Sequence, residues 1–242
     1  MDKDKEIIRH LTELRKRLIV VILWFLAAMA AGLYMSRSIL LYIKHSPPAA
    51  DVEWNVFSLT DGMFIYMKCA FLFAVLCTLP VAFYHVWSFV KPGLTEEEAR
   101  GTAVYIPISF VLFVAGLAFS YYIVFPMMVD FMKNVNVSIG ATERYGIDRY
   151  FSFLFNVIFP MGIAFEMPVA VIFLTRLGLL TPARLKMTRK YAYLGLAVVG
   201  ACISPPDFVS HLSVTVPLIL LFELSVIVAG WYYRRMQAAA AL

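Results

Sequence analysis

Charged side chains are scarce in this chain: they make up 15% of its 242 residues, against 62% that are hydrophobic. A soluble domain of this size is about 25% charged and about 45–50% apolar, so no water-soluble core can hide this much apolar surface. A spanning helix takes about 20 apolar residues. Six spans with short connections use up the length, which leaves one polytopic membrane domain over residues 1–242 and no second, soluble one. Cysteine is rarer still. Cys69, Cys77 and Cys202 lie inside apolar runs, without a Cys-x-x-Cys pair or a histidine at ligand spacing, and read as buried thiols acting as small hydrophobes. Gly-x-Ser-x-Gly, His-Glu-x-x-His and Walker A sequences are missing, and His10, His45, His85 and His211 are scattered over four segments. That excludes the usual signatures of hydrolases, metalloproteases and nucleotide-driven machines. The chain is expected to be no enzyme and to hold no cofactor and no metal. Its net charge of +5 does not mark a nucleic-acid partner, because Lys and Arg of membrane proteins collect in cytoplasmic loops.

What is present in abundance is long apolar runs. They cover about 18–35, 69–90, 103–129, 152–175, 191–204 and 211–233, the fourth broken only by Glu166 and the sixth containing Glu223. The pattern predicts an all-α membrane protein of six transmembrane helices. With the N-terminus inside, fifteen of the 21 Lys and Arg fall on the cytoplasmic side and six outside, so both termini are expected in the cytoplasm. Pro80, Pro107, Pro126, Pro160, Pro168 and Pro217 fall inside spans. Each removes a backbone donor, which favours kinked helices around a concavity over a straight bundle. The fifth run, at 1.5 Å per residue, reaches only about 21 Å. Joined to the sixth through Pro205-Pro206-Asp207, it predicts a tight hairpin of short helices.

Four acidic features could carry function. Residues 1–17 read as a cytoplasmic amphipathic helix, with Ile7, Leu11, Leu14 and Leu18 on one stripe and Glu6, His10, Glu13 and Arg17 on another face. Glu13 either pairs with Arg17 one turn on or presents its carboxylate to a cationic partner. In the loop Lys91-Pro92-Gly93-Leu94-Thr95-Glu96-Glu97-Glu98, Thr95 and Glu98 fit a capping box. The run of acids could also receive Arg or Lys from a ligand, and the two roles can coexist. Glu166 stands alone in mid-span, where an ionised carboxylate is costly; it is expected to face a concave, water-reachable side, with the outer half of the fourth span bordering a cavity. Glu223, nearer the inner end of the sixth span, is placed within reach of water, Arg234 or Arg235.

These segments resemble one family. His10-Leu11-Thr12-Glu13-Leu14-Arg15-Lys16-Arg17-Leu18 looks like the N-terminal signature of TatC, the multi-spanning subunit of the twin-arginine protein translocase. Trp87-Ser88-Phe89-Val90-Lys91-Pro92-Gly93-Leu94 followed by Glu98 looks like its first cytoplasmic loop. Phe165-Glu166-Met167-Pro168 resembles its fourth-span motif, and Ser204-Pro205-Pro206-Asp207 its last outer turn. The resemblance implies a receptor in the bacterial plasma (inner) membrane. It would bind twin-arginine signal peptides of folded precursor proteins on the cytoplasmic side. With TatA-like and TatB-like single-span subunits, in a homo-oligomeric assembly of heteromers surrounded by lipid, it would move that cargo using the proton-motive force. Carried over by position, Glu13, Arg15, Phe89 and Glu98 would bind the signal, Glu166 would be the intramembrane acid, and Asp207 and His211 would mark the outer turn and partner contact. The family's outer-loop proline maps to Pro47 or Pro48. Ala99 follows Glu98 where the family commonly has a basic residue, so the register within Glu96–Glu98 stays open by one position. His211 stands where the family often has glutamine. A rival class, an ion-coupled solute transporter with Glu166 as the ion site, would call for inverted repeats, which the sequence lacks.

Overall fold

A computed structural model describes residues 2–46, 54–91, 104–141 and 144–240, with side chains between 11 and 235 apart from residue 90. Among the described residues, five stretches are long and apolar enough to cross a bilayer: Leu11–His45, Asp61–Phe89, Tyr105–Ser138, Ile147–Arg176 and Phe208–Arg235. A sixth helix, shorter than these, stands fifth in chain order.

α1 is a single helix, Asp2–His45. No proline occurs before Pro47, so nothing interrupts the backbone between the amphipathic segment and the first span. Its 44 residues extend about 66 Å, twice the hydrocarbon thickness, and α1 therefore projects from the membrane. It packs chiefly along α2, Asp61–Val90. The seam is a row of buried residues four apart, Ala28, Gly32, Ser36 and Leu40. A methyl group on Gly32 would stand 2.9 Å from the Ala70 carbonyl oxygen, so the two backbones touch there. Ser36 Oγ reinforces the seam, donating to the Gly32 carbonyl at 2.7 Å and lying 3.2 Å from that of Tyr66. The other faces of α1 leave Leu18, Ile22, Leu23 and Leu26 exposed to lipid.

The third span is α3, Tyr105–Phe119, a wide π turn at Ser120–Val124, and α4, Phe125–Ser138. Pro126 has no N–H to give the Tyr122 carbonyl, and the wide turn falls where that bond is missing. The extra residue leaves both Ser120 and Tyr121 buried, and Val124, Phe125, Met128 and Val129 follow on the inward face. On the outer side, β1 (Trp54–Asn55) pairs in parallel with β2 (Tyr145–Gly146), Trp54 opposite Tyr145. The Lys44 ammonium lies 5.4 Å from the Trp54 ring centroid, tying the outer end of α1 to this pair.

The fourth span is α5, Ile147–Ala164, and α6, Met167–Arg176, separated by a turn at Phe165-Glu166. Pro168, at the second position of α6, cannot donate to Ala164, and the helix breaks at that point. α7 (Pro182–Met187) lies on the cytoplasmic side, where Thr181 caps it by accepting from Arg184 N at 3.4 Å. α8 (Arg189–Ile203) and α9 (Phe208–Ala240) form the final hairpin; α8 is short, as expected, but α9 runs 33 residues and is not, because its helix continues through Pro217 to the cytoplasmic end. Three apolar clusters stack through the membrane. Phe125, Phe151 and Leu154 centre the outer one. Met128, Val157, Met161, Val214 and Leu218 form the middle one. Val171, Leu185, Phe222 and Val226 form the inner one.

Candidate functional site

At the cytoplasmic end of the α1–α2 pair, Arg17 turns its guanidinium back along α1. Nη2 and Nε donate to Glu13 Oε1 at 2.5 and 3.2 Å, the i, i+4 pairing that helix geometry allows. Nη1 reaches across to the carbonyl oxygen of His85 on α2, at 3.5 Å. The Glu13 and Arg17 side chains are 36% and 20% exposed, so the pair is open to a partner from the cytoplasm. Phe89, half-buried, lies one helical turn beyond His85 toward the cytoplasm. Arg15 is exposed on a different face of α1. The structure thus gathers Glu13, Arg17 and the last turn of α2 at one place. Glu98, its neighbours Glu96 and Glu97, and the prolines Pro47 and Pro48 lie outside the described residues, as do the side chains of Glu6, Ile7 and His10.

Glu166 is buried, 9% exposed, inside protein rather than against lipid. Its Oε2 accepts from Ser109 Oγ on α3 at 2.5 Å, while Oε1 is buried without a hydrogen-bond partner among the described residues. The ten residues of α6 put it roughly 15 Å from the cytoplasmic end and roughly 27 Å from the outer start of α5. The outer half of the fourth span does border a cavity, of about 400 Å³, lined by Lys68, Phe71, Phe155, Asn156 and Phe159 among others. Glu166 lies two turns farther in than that wall and does not line it; the expected water-reachable placement gives way to burial, because the turn at Phe165-Glu166 aims the carboxylate at Ser109 in the contact with α3. Its position rests on small residues: a methyl group on Gly116 would stand 2.8 Å from Phe165 Cγ and 3.0 Å from Gly162 Cα. The Phe165 ring therefore sits where α3 and α5 pass backbone to backbone, and the break that follows turns Glu166 toward Ser109.

Glu223 is held by groups other than those the sequence suggested. Oε2 accepts from Arg189 Nη2 at 2.6 Å, and Oε1 accepts from the Tyr193 hydroxyl. Arg234 and Arg235 stand three turns farther along α9, roughly 16 Å away, whereas the hairpin brings α8 directly alongside. At the outer turn Asp207 caps α9, its Oδ1 accepting from Ser210 N at 2.7 Å. His211 Nε2 lies 3.5 Å from Thr215 Oγ1. Asp207 Oδ2, Ser210 Oγ and His211 Nδ1 are buried there without a hydrogen-bond partner among the described residues.

Two charged groups, Lys68 and Arg176, escaped sequence reasoning. Lys68, seven residues into α2, donates to Asp148 Oδ1 at 3.0 Å and to Ser152 Oγ. Nothing local signals this pair, because the partners are 80 residues apart, and a lysine one residue before the second apolar run gives no cue to an acid elsewhere in the chain. Arg176 is similarly absorbed, its guanidinium 6.0 Å from the Tyr105 ring and 5.7 Å from that of Tyr232. Among the described residues no group of three or more His, Cys, Asp or Glu converges on a metal position.

Residues 9–217 match the family model of the Sec-independent protein translocase protein (TatC). The chain is 44% identical to the Sec-independent protein translocase protein TatCy of Bacillus subtilis (strain 168), over 97% of this chain and 92% of that one. It is 42% identical to the TatC protein of Halalkalibacterium halodurans, over 98% and 93% of the two chains. Among solved structures it resembles the twin-arginine translocase receptor TatC crystallised in DDM, with a TM-score of 0.82 and 32% identity over 91% of this chain and 99% of that one.

Proposed function

The chain belongs to the TatC family, a family of membrane translocase components and not of enzymes, and from that premise we propose that it is the receptor that captures twin-arginine signal peptides at the cytoplasmic face. Glu13 and Glu98 supply the acceptor carboxylates and Phe89 the apolar contact, with Arg15 in the same region. Two adjacent arginines carry two planar guanidinium groups, each able to make parallel hydrogen bonds to a carboxylate. The observation that carries this reading is Glu13 itself, a part-exposed carboxylate that already binds a guanidinium beside the cytoplasmic end of α2. The captured cargo is a folded protein. TatA-like and TatB-like single-span subunits join the receptor in a larger assembly in the bacterial plasma membrane, and the proton-motive force drives transport. Glu166 serves within the membrane, and Asp207 and His211 at the outer turn serve partner contact. Spans at 18–35, 69–90, 103–129, 152–175, 191–204 and 211–233 make up the single domain that carries these sites.

The test is precursor binding by Glu13→Ala and Glu98→Ala variants, with membrane insertion checked in parallel. Charge-assisted hydrogen bonds contribute about 1.5–3 kcal/mol, so each variant is expected to bind about ten-fold or more weakly. Wild-type binding by both variants, or equal binding of Arg-Arg and Lys-Lys signals by the parent, would show that the acids serve only as cap and pair partners.

A further inference from the structure

The carboxylate assigned to the signal's arginine is already holding one. Arg17 places two N–H groups on Glu13 Oε1, at 2.5 and 3.2 Å, and a third 3.5 Å from the His85 carbonyl one turn before Phe89. An incoming guanidinium would make the same contacts: a fork onto Glu13 and a reach across to the end of α2. We propose that Arg17 is a built-in competitor, seated at Glu13 until an arginine of the signal exchanges for it, and that it sets the affinity threshold for capture. The inference rests on the signal-binding reading above.

An arginine-for-arginine exchange never leaves the carboxylate without a cation, so the site need not pass through a bare charge. The cost of displacing Arg17 is subtracted from every ligand that uses Glu13, whatever its own strength. A competitor therefore lowers the affinity of Arg-Arg and Lys-Lys signals by one common factor and leaves their ratio unchanged. A residue that merely positioned Glu13 would behave oppositely. Its loss would weaken the forked ligand most and narrow the ratio, because only the fork depends on the angle of the carboxylate.

The experiment is equilibrium binding of a synthetic Arg-Arg signal peptide and its Lys-Lys counterpart to the purified full-length protein in detergent micelles. Parent, Arg17→Gln, Arg17→Lys, Glu13→Gln, the Glu13→Gln/Arg17→Gln double variant and Lys16→Gln are compared. Lys16, exposed on α1, reports what loss of any nearby positive charge does to a cationic peptide. A part-exposed pair of this kind is worth about a two- to five-fold change, so Arg17→Gln is expected to tighten both peptides by that factor beyond Lys16→Gln, with their ratio constant. Arg17→Lys, which keeps the charge and loses the fork, should fall between parent and Arg17→Gln, and carries the test if the glutamine variant does not fold. In the Glu13→Gln background the gain should drop to the Lys16 level. An Arg17→Gln gain no larger than that of Lys16→Gln, or a narrowed ratio, overturns the competitor while leaving signal binding at Glu13 intact. A parent that does not prefer Arg-Arg, or a Glu13→Gln variant that binds like the parent, removes the signal-binding reading and the competitor with it.

Discussion

Replacing Gly116 with alanine adds one methyl group where α3 and α5 leave no room for it. That carbon would stand 2.8 and 2.9 Å from Phe165 Cγ and Cβ and 3.0 Å from the Gly162 Cα. None of these is the tip of a flexible side chain, so relief requires the two helices to part or the Phe165-Glu166 turn to shift. Overpacking of a tight core costs about 1–3 kcal/mol, and contact with backbone puts this site in the upper part of that range. Alanine returns about 1 kcal/mol of helix propensity over glycine, so the net loss is about 1–2 kcal/mol. The molecule supplies its own controls. Gly195 and Gly230 have nothing within 4 Å of an added methyl, so alanine there should keep the propensity gain without the clash. Unfolding of the purified protein by SDS titration from mild micelles, followed by circular dichroism, compares the three variants. Parting α3 from α5 would also draw Ser109, seven residues from Gly116 on the same face, away from Glu166. A Gly116→Ala variant as stable as Gly195→Ala would refute the claim that this crossing is closed at backbone distance.

Two further outcomes follow from the polar contacts. Removing Lys68 as Lys68→Met takes the cation from Asp148 and leaves it the Ser152 hydroxyl; with both side chains about a third exposed, the cost lies between surface and buried limits, about 1–2 kcal/mol. The Lys68→Met/Asp148→Leu double variant should recover most of it in the same unfolding assay, and strictly additive losses would disprove the coupling. Asp207→Ala removes the cap from Ser210 N and should cost about 0.5–2 kcal/mol, whereas Asp207→Asn keeps an acceptor and should restore most of the stability; equal losses in both would mean the charge, not the cap, holds the turn.

The spans were legible because hydropathy is a local property: Leu18–Met35 carries no charge, and nothing far away in the chain can change that. The 15-residue length of α8 follows from the same counting. The helix rotations were not legible. Ser109 and Glu166 are 57 residues apart, and whether they meet depends on Gly116 and Gly162 letting α3 and α5 close. Glu223 shows the same limit. Counting along α9 offers Arg234 as partner, but the fold of the hairpin supplies Arg189 instead. The wide turn at Ser120–Val124 has only Pro126 to announce it, and prolines at Pro80 and Pro217 sit in helices that continue through them. The i, i+4 pair Glu13–Arg17 was readable because its geometry is intrahelical. Its reach to His85 was not, since that contact depends on how α1 lies along α2.

The shortness of α8 also has a mechanical side. Its fifteen residues span about 22 Å, against a hydrocarbon layer of about 30 Å, and Arg189 and Lys190 hold its start at the cytoplasmic surface. Because Tyr191, Leu194 and Val198 face outward, the shortfall of roughly 8 Å is presented to lipid and not hidden by protein. Lipids along this edge must dimple to meet it, at a fraction of a kcal/mol for each ångström, so the strain sums to about a few kcal/mol. Two such edges that share one dimple deform less membrane than two that lie apart. The mismatch therefore favours association along the α8 side before any side chains touch.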